Sequence, residues 1–478
     1  TDDNPRNENP RKIRKKIIQN LKNVNWQEIG DRKKSITEAI KSAEPFDVIL
    51  VAGKGHETYQ DYGKKILNIS DKKIIKEAVI KTSNVKKKDF TYYENSKILN
   101  KIFKGNKFYK IRGISINSQK IKKNNLFIAI KGKKKDGHNF ISNAFKKGAS
   151  HCVVSKKIKK TKKNKILTVK NTLNFLKNFA FYKRNLSDAK IIAITGSAGK
   201  TTLKTMVAKI LTNYDKTYFS PKSYNNHYGV PISLSNLENI FKYGVFEIGM
   251  SKKGEINKLS KLTKPHIAVI TNVAEAHIEN FKNLQGVAKA KSEIIYNIEK
   301  FGTIILNRDD QFFNYFRNIA IKRKLKIISF GLKNKSDIFL LREKKLFNYK
   351  FLRIKVVNEV VNLKTNNINT YNFLALLAVL KSLNLNLKKG IQTFEKLKPI
   401  DGRGKIYNIT RYNTKFNFVD ESYNANPLSV KNAISNLSNI DKKFSKKYLL
   451  LGDMLELGKK SNFYHKELSS LINNSDID

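Results

Sequence analysis

A short loop carries the clearest chemical pattern in the sequence. It joins a β-branched run to a helical period and reads Ile194-Thr195-Gly196-Ser197-Ala198-Gly199-Lys200-Thr201-Thr202. Glycines let backbone N–H groups approach an anion, the following helix N-terminus favours negative charge, and lysine and threonine side chains can reach phosphate oxygens and a magnesium ion. Ile194 stands where the usual pattern, G-x-x-x-x-G-K-[ST], has its first glycine. We predict a nucleotide site here, with a purely structural turn as the alternative.

Two further polar side chains follow successive predicted strands. Glu247 lies in the run Val245-Phe246-Glu247-Ile248, and His277 follows a run that ends at Thr271-Asn272. Ligands of a doubly wound sheet bind at the carboxyl ends of its strands, so both side chains can converge on the loop. Taken singly, the glutamate could instead accept local N–H groups, and the histidine could cap a loop. By composition alone, Lys289 and Lys291 of the next helix would be surface residues.

The pattern of strands and helices that must position these residues predicts a doubly wound α/β domain. Beyond Lys190, β-branched runs alternate with helical periods, which is typical of a parallel sheet with crossover helices. The predicted strands are Lys190–Thr195, Val245–Ile248, Ile267–Asn272, Thr303–Asn307 and Lys326–Phe330. The predicted helices are Thr201–Leu211, Glu255–Leu262, Leu284–Ile298 and Tyr371–Ser382. Strand-like alternation between Asp337 and Leu363 predicts a small antiparallel insert.

The flanking segments predict further units. An upstream α+β unit has predicted strands Leu126–Ile130 and His151–Val154 around a helix at Asn139–Lys147. A second α/β run has predicted strands Lys405–Ile409, Phe416–Val419 and Tyr448–Leu451, with helices Ser429–Leu437 and Phe463–Ile472. The first ninety residues carry another α/β fragment, with a strand at Val48–Ala52 and a linker at Lys81–Lys88. The predicted domains are 1–88, 96–188, 189–400 and 401–478.

Composition limits the class of protein. The 478 residues include 95 Lys and Arg against 39 Asp and Glu, a net charge of +56, yet 40% are hydrophobic, so a folded and very basic protein is expected. The single cysteine, Cys152, excludes an internal disulfide and favours a reducing, cytoplasmic compartment. No apolar run is long enough for membrane insertion. The lysines are spread in short runs, which indicates a solvated surface; a nucleic-acid-binding NTPase is the alternative.

The motifs, taken in order, resemble those of the Mur ligase family. They are Thr195 to Thr202, Asn225-Asn226-His227-Tyr228-Gly229-Val230-Pro231, Glu247-Ile248-Gly249-Met250, Thr271-Asn272 to His277, Ala290-Lys291, Asn307-Arg308-Asp309-Asp310, Asp420-Glu421-Ser422-Tyr423-Asn424-Ala425-Asn426-Pro427 and Leu451-Gly452-Asp453-Met454-Leu455-Glu456-Leu457-Gly458. The last two are similar to motifs of the members that add D-alanyl-D-alanine. The resemblance covers about Ile111 to Asp478.

The resemblance implies a fold and an activity. The fold would be a multidomain α/β architecture with a central P-loop parallel sheet, a small N-terminal UDP-binding α+β domain and an incomplete Rossmann-like C-terminal domain. The activity would be an ATP- and Mg²⁺-dependent amide ligase of peptidoglycan precursor synthesis. It would add D-Ala-D-Ala to UDP-N-acetylmuramoyl-tripeptide through an acyl phosphate, as a cytoplasmic monomer with no specific nucleic acid. A folylpolyglutamate-type ligase is the alternative within the superfamily.

The resemblance also implies roles for individual residues. The catalytic residues would be Lys200, Glu247, His277, Lys291 and Arg403. ATP would contact Gly196, Ser197, Ala198, Gly199, Lys200, Thr201, Thr202, Asn307, Asp310 and Asn372. For Asn307, Asp310 and Asn372, hydrogen bonding in turns and helix N-caps is the alternative. Thr201 and Glu247 would hold one metal ion, and His277 would hold a second together with a carbamylated Lys291, with Lys289 as the less favoured lysine. The muropeptide and dipeptide would contact Ser118, Asn225, Asn226, Asp420, Tyr423, Asn424 and Asn426. In the UDP region, Gln119 replaces the family's usual arginine.

The first residues resemble the C-terminal domain of the family ligase that adds meso-diaminopimelate. Asp3-Asn4-Pro5-Arg6 and Ala52-Gly53-Lys54-Gly55-His56-Glu57 carry this resemblance. It implies that the incoming diamino acid would contact Asn4, Arg6, Gly53 and Glu57. It also favours diaminopimelate as the third residue of the peptide. Since this part has no phosphate loop, we expect it to be inactive alone, and we expect the chain to be an internal piece of a two-ligase fusion.

Overall fold

A computed structural model of the chain describes residues 1–21, 26–43, 48–54, 57–86, 90–103, 108, 111–132, 134–158, 163–276, 278–333, 335–346, 349–366, 368–411, 414–439 and 446–478. Within these ranges the helices are α1 (Pro10–Gln19), α2 (Arg32–Ser42), α3 (Asp71–Lys86), α4 (Phe90–Ile102), α5 (Ile141–Lys146), α6 (Thr172–Leu186), α7 (Lys200–Leu211), α8 (Gly229–Ser235), α9 (Glu255–Thr263), α10 (Leu284–Ser292), α11 (Phe313–Lys322), α12 (Thr370–Ser382), α13 (Leu387–Phe394), α14 (Pro427–Ser438) and α15 (Ser461–Asn473). The strands are β1 (Tyr59–Asp61), β2 (Ile66–Asn68), β3 (Gly113–Ser115), β4 (Asn125–Ile128), β5 (Ala149–Val154), β6 (Ile166–Thr168), β7 (Lys190–Thr195), β8 (Thr217–Phe219), β9 (Tyr243–Glu247), β10 (Ile267–Ile270), β11 (Thr303–Asn307), β12 (Lys326–Gly331), β13 (Ile338–Lys345), β14 (Tyr349–Val356), β15 (Glu359–Asn366), β16 (Lys405–Arg411) and β17 (Thr414–Asp420).

The chain divides into two compact units. The first holds Thr1–Gly113, Ser118–Phe127 and Ser142–Cys152, and the second holds Ile114–Asn117, Ile128–Ile141 and Val153–Asp478. The division into four domains at residues 88, 188 and 400 stays a prediction. The strands predicted near Leu126 and His151 are observed as β4 and β5.

The first unit begins with two helices and a hairpin. Helix α2 packs on α3, and β1 pairs with β2 in antiparallel register. A buried ion pair ties α2 to α3, because the Arg32 guanidinium donates to both carboxylate oxygens of Asp71 at 2.8 and 2.7 Å. The strand predicted at Val48–Ala52 is wrong: these residues form no strand, and Val48 is 93% exposed. Helix α3 continues to Lys86, so the predicted linker is wrong up to that residue; residues 87 and 88 lie outside the described ranges.

Nine strands of the second unit form one sheet, in the order β15-β14-β13-β12-β11-β10-β7-β9-β8. The strands from β8 to β13 pair in parallel, and β13, β14 and β15 form an antiparallel meander. The central strands β7, β10 and β11 are apolar and buried on both faces, as parallel strands covered by helices must be. This confirms the predicted doubly wound domain and its antiparallel insert.

Helices cover both faces of this sheet. Ile192 and Ile194 of β7 point into a layer that contains α7 and α12, whereas Ile191 and Ala193 point into a layer that contains α8 to α11. Helix α12 is apolar all round, and every residue from Phe373 to Leu380 is buried, which confirms the prediction of a buried helix there. None of the helices in the described ranges is long and apolar enough to cross a membrane.

Residues 401–478 begin with an antiparallel pair, β16 and β17. Helices α14 and α15 pack together through Val430, Ile434, Tyr464 and Leu468. The strand predicted at Tyr448–Leu451 is wrong: these residues form no strand, and Leu450 is 87% exposed. An apolar run favours a strand only when a neighbouring strand accepts its backbone hydrogen bonds.

Candidate active site

The glycine-containing loop lies at the carboxyl end of β7, between two strands whose ends are in register with it. Ile194 of β7 lies opposite Glu247 of β9, and Thr195 lies opposite Ile270 of β10. The residues that leave β9 and β10 therefore flank the loop on both sides, and α7 begins at Lys200 directly after it. The prediction that side chains after these strands converge on the loop is confirmed for Glu247, while His277 lies outside the described residues.

The chain after β10 holds the loop in shape. Thr271 Oγ1 donates to the Ala198 carbonyl at 2.6 Å, and Asn272 Oδ1 accepts the Ala198 N–H at 2.9 Å. Ser197 Oγ accepts the Ala274 N–H at 2.8 Å and donates to the Ala274 carbonyl at 2.9 Å. These bonds fix the loop backbone before any ligand arrives, so ligand binding need not order it. Sequence reasoning had no signal for the anchoring role of Thr271 and Asn272 beyond their place at the end of a strand.

Lys200 provides a cation at the centre of the loop. Its Nζ donates to the carbonyl oxygens of Gly196 and Ser197 at 2.8 and 3.2 Å. Burial lowers the pKa of Lys200, and the charge of Glu247 raises it in part. The ammonium group is thus held where a bound polyphosphate would meet the first turn of α7.

Glu247 forms the acidic side of the site. Its side chain is 1% exposed, Oε2 accepts the Thr201 hydroxyl at 2.8 Å, and Oε1 accepts Asn225 Nδ2 at 2.8 Å. The described residues contain no cluster of three or more His, Cys, Asp or Glu side chains placed to hold a metal. The Thr201 hydroxyl and the Glu247 carboxylate nevertheless place hard oxygen atoms side by side at the mouth of the loop.

The structure distinguishes the two lysines of α10. Lys291 is buried and lines the cleft, whereas Lys289 is exposed. Burial lowers the pKa of Lys291 well below its usual value, and the positive charge of Lys200 lowers it further, although Asp310 opposes this in part. The lowered pKa increases the fraction of Lys291 side chains that carry an uncharged amine.

Polar residues after β11 and at the start of α12 line the opposite side of the loop. Asn307 Nδ2 donates to the Thr271 carbonyl at 3.2 Å. Asp310 accepts the Val273 N–H at 2.7 Å, and burial raises the pKa of this carboxyl. Asn372 is buried next to Gly199. The predicted nucleotide residues are thus brought together in one place.

Residues 401–426 reach the same site. Arg403 Nη2 donates to Thr201 Oγ1 at 3.1 Å, and its guanidinium lies 4.1 Å from the centre of the Tyr423 ring. Tyr423 OH donates to Ser223 Oγ at 2.6 Å. Asn424 lines the cleft. Sequence reasoning missed Ser223, because an isolated serine in a loop carries no pattern.

Three of the predicted substrate residues have local structural partners. Asp420 accepts the Gly402 N–H at 2.9 Å. Asn226 accepts the N–H of Gly229 at the start of α8 at 2.9 Å, and Asn426 accepts the N–H of Ser429 at 2.9 Å as the N-cap of α14. Asn226 and Asn426 also line the cleft.

The remaining predicted residues lie in the first unit. Asn4 Nδ2 donates to Glu57 Oε2 at 2.7 Å, so these two are brought together. Gly53 has φ 112° and lies next to the Asp3 carboxylate. Arg6 is mostly exposed, at a position with φ 51°. Ser118 is buried at the start of a 3-10 turn.

One cleft of the second unit, with a volume of 1360 Å³, contains the converging groups. Its wall includes the phosphate loop and the following side chains: Asn225, Glu247, Lys291, Asn307, Asp310, Asn372, Arg403 and Tyr423. A cleft at the carboxyl ends of parallel strands, with a phosphate loop, paired oxygen atoms and an arginine from a later segment, is typical of a nucleotide-dependent ligase or phosphotransferase site.

Comparison with known proteins identifies the class. The Mur ligase middle domain matches residues 194–381, and the Mur ligase family catalytic domain matches residues 110–184. The chain belongs to the Mur ligase family, and it is an ATP-dependent ligase of peptidoglycan precursor synthesis. It is similar to the UDP-N-acetylmuramoyl-tripeptide--D-alanyl-D-alanine ligase of Rickettsia prowazekii, with 35% identity over 369 residues, which cover 75% of this chain and 79% of that protein.

Solved structures agree with this result. A crystal structure of MurF from Acinetobacter baumannii matches with a TM-score of 0.70 and 29% identity, over 77% of this chain and 79% of that one. A MurF ligase from Thermotoga maritima in complex with ADP matches with a TM-score of 0.67 and 27% identity, over 77% and 83% of the two chains. These matches confirm the predicted multidomain α/β fold.

Proposed function

We propose that this chain uses ATP to join D-Ala-D-Ala to UDP-N-acetylmuramoyl-tripeptide. The observation that carries the proposal is the meeting of Lys200, Thr201, Glu247 and Arg403 within one cleft. The two reactants are those in the names of the similar ligases. Both reactants and ATP are small molecules, and we place the reaction in the cytoplasm, with the enzyme acting as a monomer and without nucleic acid.

The reaction needs activation, because a carboxylate is a poor electrophile. In the proposed sequence the terminal carboxylate oxygen of the tripeptide attacks the γ-phosphorus of ATP, the bond to ADP breaks, and an acyl phosphate forms. The dipeptide amine then attacks the acyl carbon, loses a proton and expels inorganic phosphate. Two anions meet in the first step, so fixed positive charge must stabilise it. Lys200 and Arg403 are the cations placed to do so.

Mg²⁺ fits the residues present. Mg²⁺ prefers oxygen ligands and keeps part of its coordination shell for phosphates and water, which suits two adjacent protein oxygens. Thr201 Oγ1 and the Glu247 carboxylate would hold it. When bound, the ion neutralises charge on the phosphates. His277, the predicted ligand of a second metal ion, lies outside the described residues.

We further propose that Lys291 is carbamylated. CO₂ reacts with the neutral form of an amine, and the lowered pKa of the buried Lys291 increases the share of that form. The carbamate would replace a cation with oxygen donors. ¹³C NMR of protein equilibrated with ¹³C-bicarbonate should show a carbamate signal that Lys291→Met removes. The exposed Lys289, two residues away, supplies the matched control: Lys289→Met should leave the signal in place, and a signal that survives Lys291→Met would contradict the assignment.

On the acceptor side, we propose that Asn225, Tyr423 and Asn424 contact the peptide substrates. All three line the cleft, and Asn225 also contacts Glu247. We keep the four-part division, with residues 1–88 as a remnant of the diaminopimelate-adding ligase. The resemblance of that segment favours diaminopimelate as the third residue of the peptide, and the Asn4–Glu57 hydrogen bond brings two of its motif residues together.

Phosphate release tests the reaction. Release from ATP should require UDP-N-acetylmuramoyl-tripeptide, rise when D-Ala-D-Ala is added, and be lost in Lys200→Met. Lys209→Met is the matched control, because Lys209 is exposed on the same helix and should leave release unchanged. Release that is indifferent to both substrates would overturn the proposed reaction.

A further inference from the structure

A buried lysine outside the predicted site faces Glu247 from α7. Lys204 is 1% exposed, and its Nζ lies 3.7 Å from Glu247 Oε2. It lies one helical turn beyond Lys200 and Thr201, so α7 presents all three side chains toward the end of β9. Burying an ammonium group is costly unless charged and polar partners compensate, so these contacts account for its place in the core.

Lys204 has a second partner on the loop that precedes α8. Its Nζ donates to the backbone carbonyl of Lys222. Lys222 has φ 45°, a left-handed conformation that a lysine rarely adopts unless its surroundings fix it. The next residues of this loop include Ser223, which accepts the Tyr423 hydroxyl, and Asn225, which donates to Glu247.

Lys204 thus lies behind the site. It is not among the residues that line the cleft, whereas Glu247, Ser223 and Asn225 all are. Lys204 contacts both the Glu247 carboxylate and the loop at residues 222–225, and that loop includes Asn225, which donates to Glu247. Any effect on the reaction must therefore pass through these neighbours.

We propose that Lys204 is a positioning residue that holds the Glu247 carboxylate and the loop at residues 222–225 in the arrangement that binds Mg²⁺. This inference rests on the proposed function, because it takes Glu247 as a metal ligand. Outer-shell partners of this kind commonly change metal affinity by about 10–100-fold when they are removed. Without Lys204, the carboxylate and the loop must be ordered when the ion binds, which weakens binding.

ADP binding measures this effect without turnover. The readout is the magnesium gain, defined as the ADP affinity in Mg²⁺ divided by the affinity in EDTA. We expect Lys204→Met to reduce the gain about tenfold and Lys204→Arg to restore part of it. Lys209→Met, on the exposed side of the same helix, should keep the full gain.

A double-mutant cycle separates positioning from a general structural role. If Lys204 acts through Glu247, Lys204→Met should remove nothing further from Glu247→Gln. Thermal unfolding of each variant checks that it is folded, and Lys204→Gln replaces Lys204→Met in the cycle if the latter does not fold. A purely structural role would lower the unfolding temperature and leave the magnesium gain intact.

The outcomes distinguish the two proposals. A full gain in Lys204→Met or Lys204→Gln, or an equal loss with and without Glu247→Gln, would overturn the role of Lys204 and leave the ligase reaction untouched. A full gain in Glu247→Gln would instead remove Glu247 as a metal ligand, and the role of Lys204 with it. Substrate-dependent phosphate release, measured on the same proteins, reports separately on the reaction.

Discussion

Gly199 combines two constraints at a single residue. Its φ is 81°, and a Cβ atom placed there would lie 2.8 Å from Asn372 Oδ1. Gly199→Ala should therefore strain the backbone and also push away a residue that lines the nucleotide side of the cleft. We expect ADP affinity to fall about tenfold or more, because small displacements in a preorganised site are costly. Calorimetric titration with ADP measures this.

Gly254 provides the control for backbone strain alone. Its φ is 84°, and a Cβ atom there would meet nothing within 4 Å. Both alanine variants should lose about 1 kcal/mol of stability, since alanine is strained in the left-handed region. Only Gly199→Ala should lose ADP affinity. Equal affinity losses in the two variants would contradict a specific effect of the contact between residue 199 and Asn372.

At the residue scale, the sequence predicts what a motif contains and little of what supports it. Lys200 and Glu247 could be predicted because each lies at or just after the end of a strand with a recognisable pattern. The sequence alone gives no physical reason to choose Lys291 over Lys289, because lysines are common throughout this chain. The packing of α10 gives one, since it buries Lys291 and leaves Lys289 exposed. Lys204 could not be predicted for the same reason, because the sequence does not show which of many lysines is buried.

At the scale of elements, His266 links the start of β10 to β7. His266 Nδ1 accepts the Ile191 N–H at 2.9 Å. Burial lowers the pKa of His266 to about 4, and the charges of Arg184 and Lys190 lower it further. An unfolded histidine has a pKa of about 6.5, so below that pH the unfolded state takes up a proton that the folded state refuses. The stability that His266 contributes is present above pH 6.5 and is lost as the pH falls toward 4.

This gives a stability prediction with a defined pH window. Between pH 7 and pH 5 the free energy of unfolding should fall by about 2 kcal/mol more in the wild type than in His266→Gln. Urea denaturation at the two pH values measures the difference within each protein, so other titrating groups cancel. The same fall in both proteins would show that His266 is not the group responsible.

A buried polar cluster joins the meander to α12. Lys350 Nζ donates to Thr370 Oγ1 at 2.8 Å and lies 3.3 Å from Glu343 Oε1. Lys350→Met should lower the free energy of unfolding by about 2 kcal/mol, because it leaves a partly buried carboxylate without its cation. Lys344→Met, at an exposed position of β13, should change it by less than about 0.5 kcal/mol. Urea denaturation compares the two, and similar losses would contradict a specific role for the cluster.

Elements were predictable where local pattern and burial agree. The strands at 190–195 and 303–307 have the predicted bounds, because apolar β-branched runs in a parallel sheet are buried on both faces. The runs at Val48–Ala52 and Tyr448–Leu451 are also apolar but pair with no strand among the described residues. Pairing is a long-range property, so a local pattern cannot report it. The predicted helix Leu284–Ile298 is wrong beyond Ser292, because α10 ends there and a 3-10 turn follows at Ile295–Asn297.

At the scale of the whole molecule, the net charge of +56 affects stability. Repulsion among like charges opposes the compact state, and salt screens it over a Debye length that falls from about 30 Å at 0.01 M to about 10 Å at 0.1 M. Salt also weakens surface ion pairs. However, 39 acidic residues can pair with only a minority of the 95 basic ones, so repulsion between basic residues should dominate. The urea midpoint should therefore rise between 10 and about 300 mM NaCl. Choline chloride at equal ionic strength should act alike, and a midpoint that stays constant or falls would refute the argument.

The same charge predicts binding to polyanions that has no part in the reaction. Lysines neutralise phosphates and release counterions, so single-stranded DNA should bind at low salt with an affinity that falls steeply as salt rises. The lysines responsible are spread along the sequence, whereas the cleft groups Lys200, Glu247 and Arg403 are held by contacts of their own. Phosphate release should accordingly still require the muropeptide when DNA is present, and DNA alone should not stimulate it. Anisotropy at 50, 100 and 200 mM NaCl gives the binding slope, and phosphate release measured in the same samples decides whether the two properties are separate. Release stimulated by DNA without muropeptide would make the charge a functional feature and would point back to a nucleic-acid-dependent NTPase.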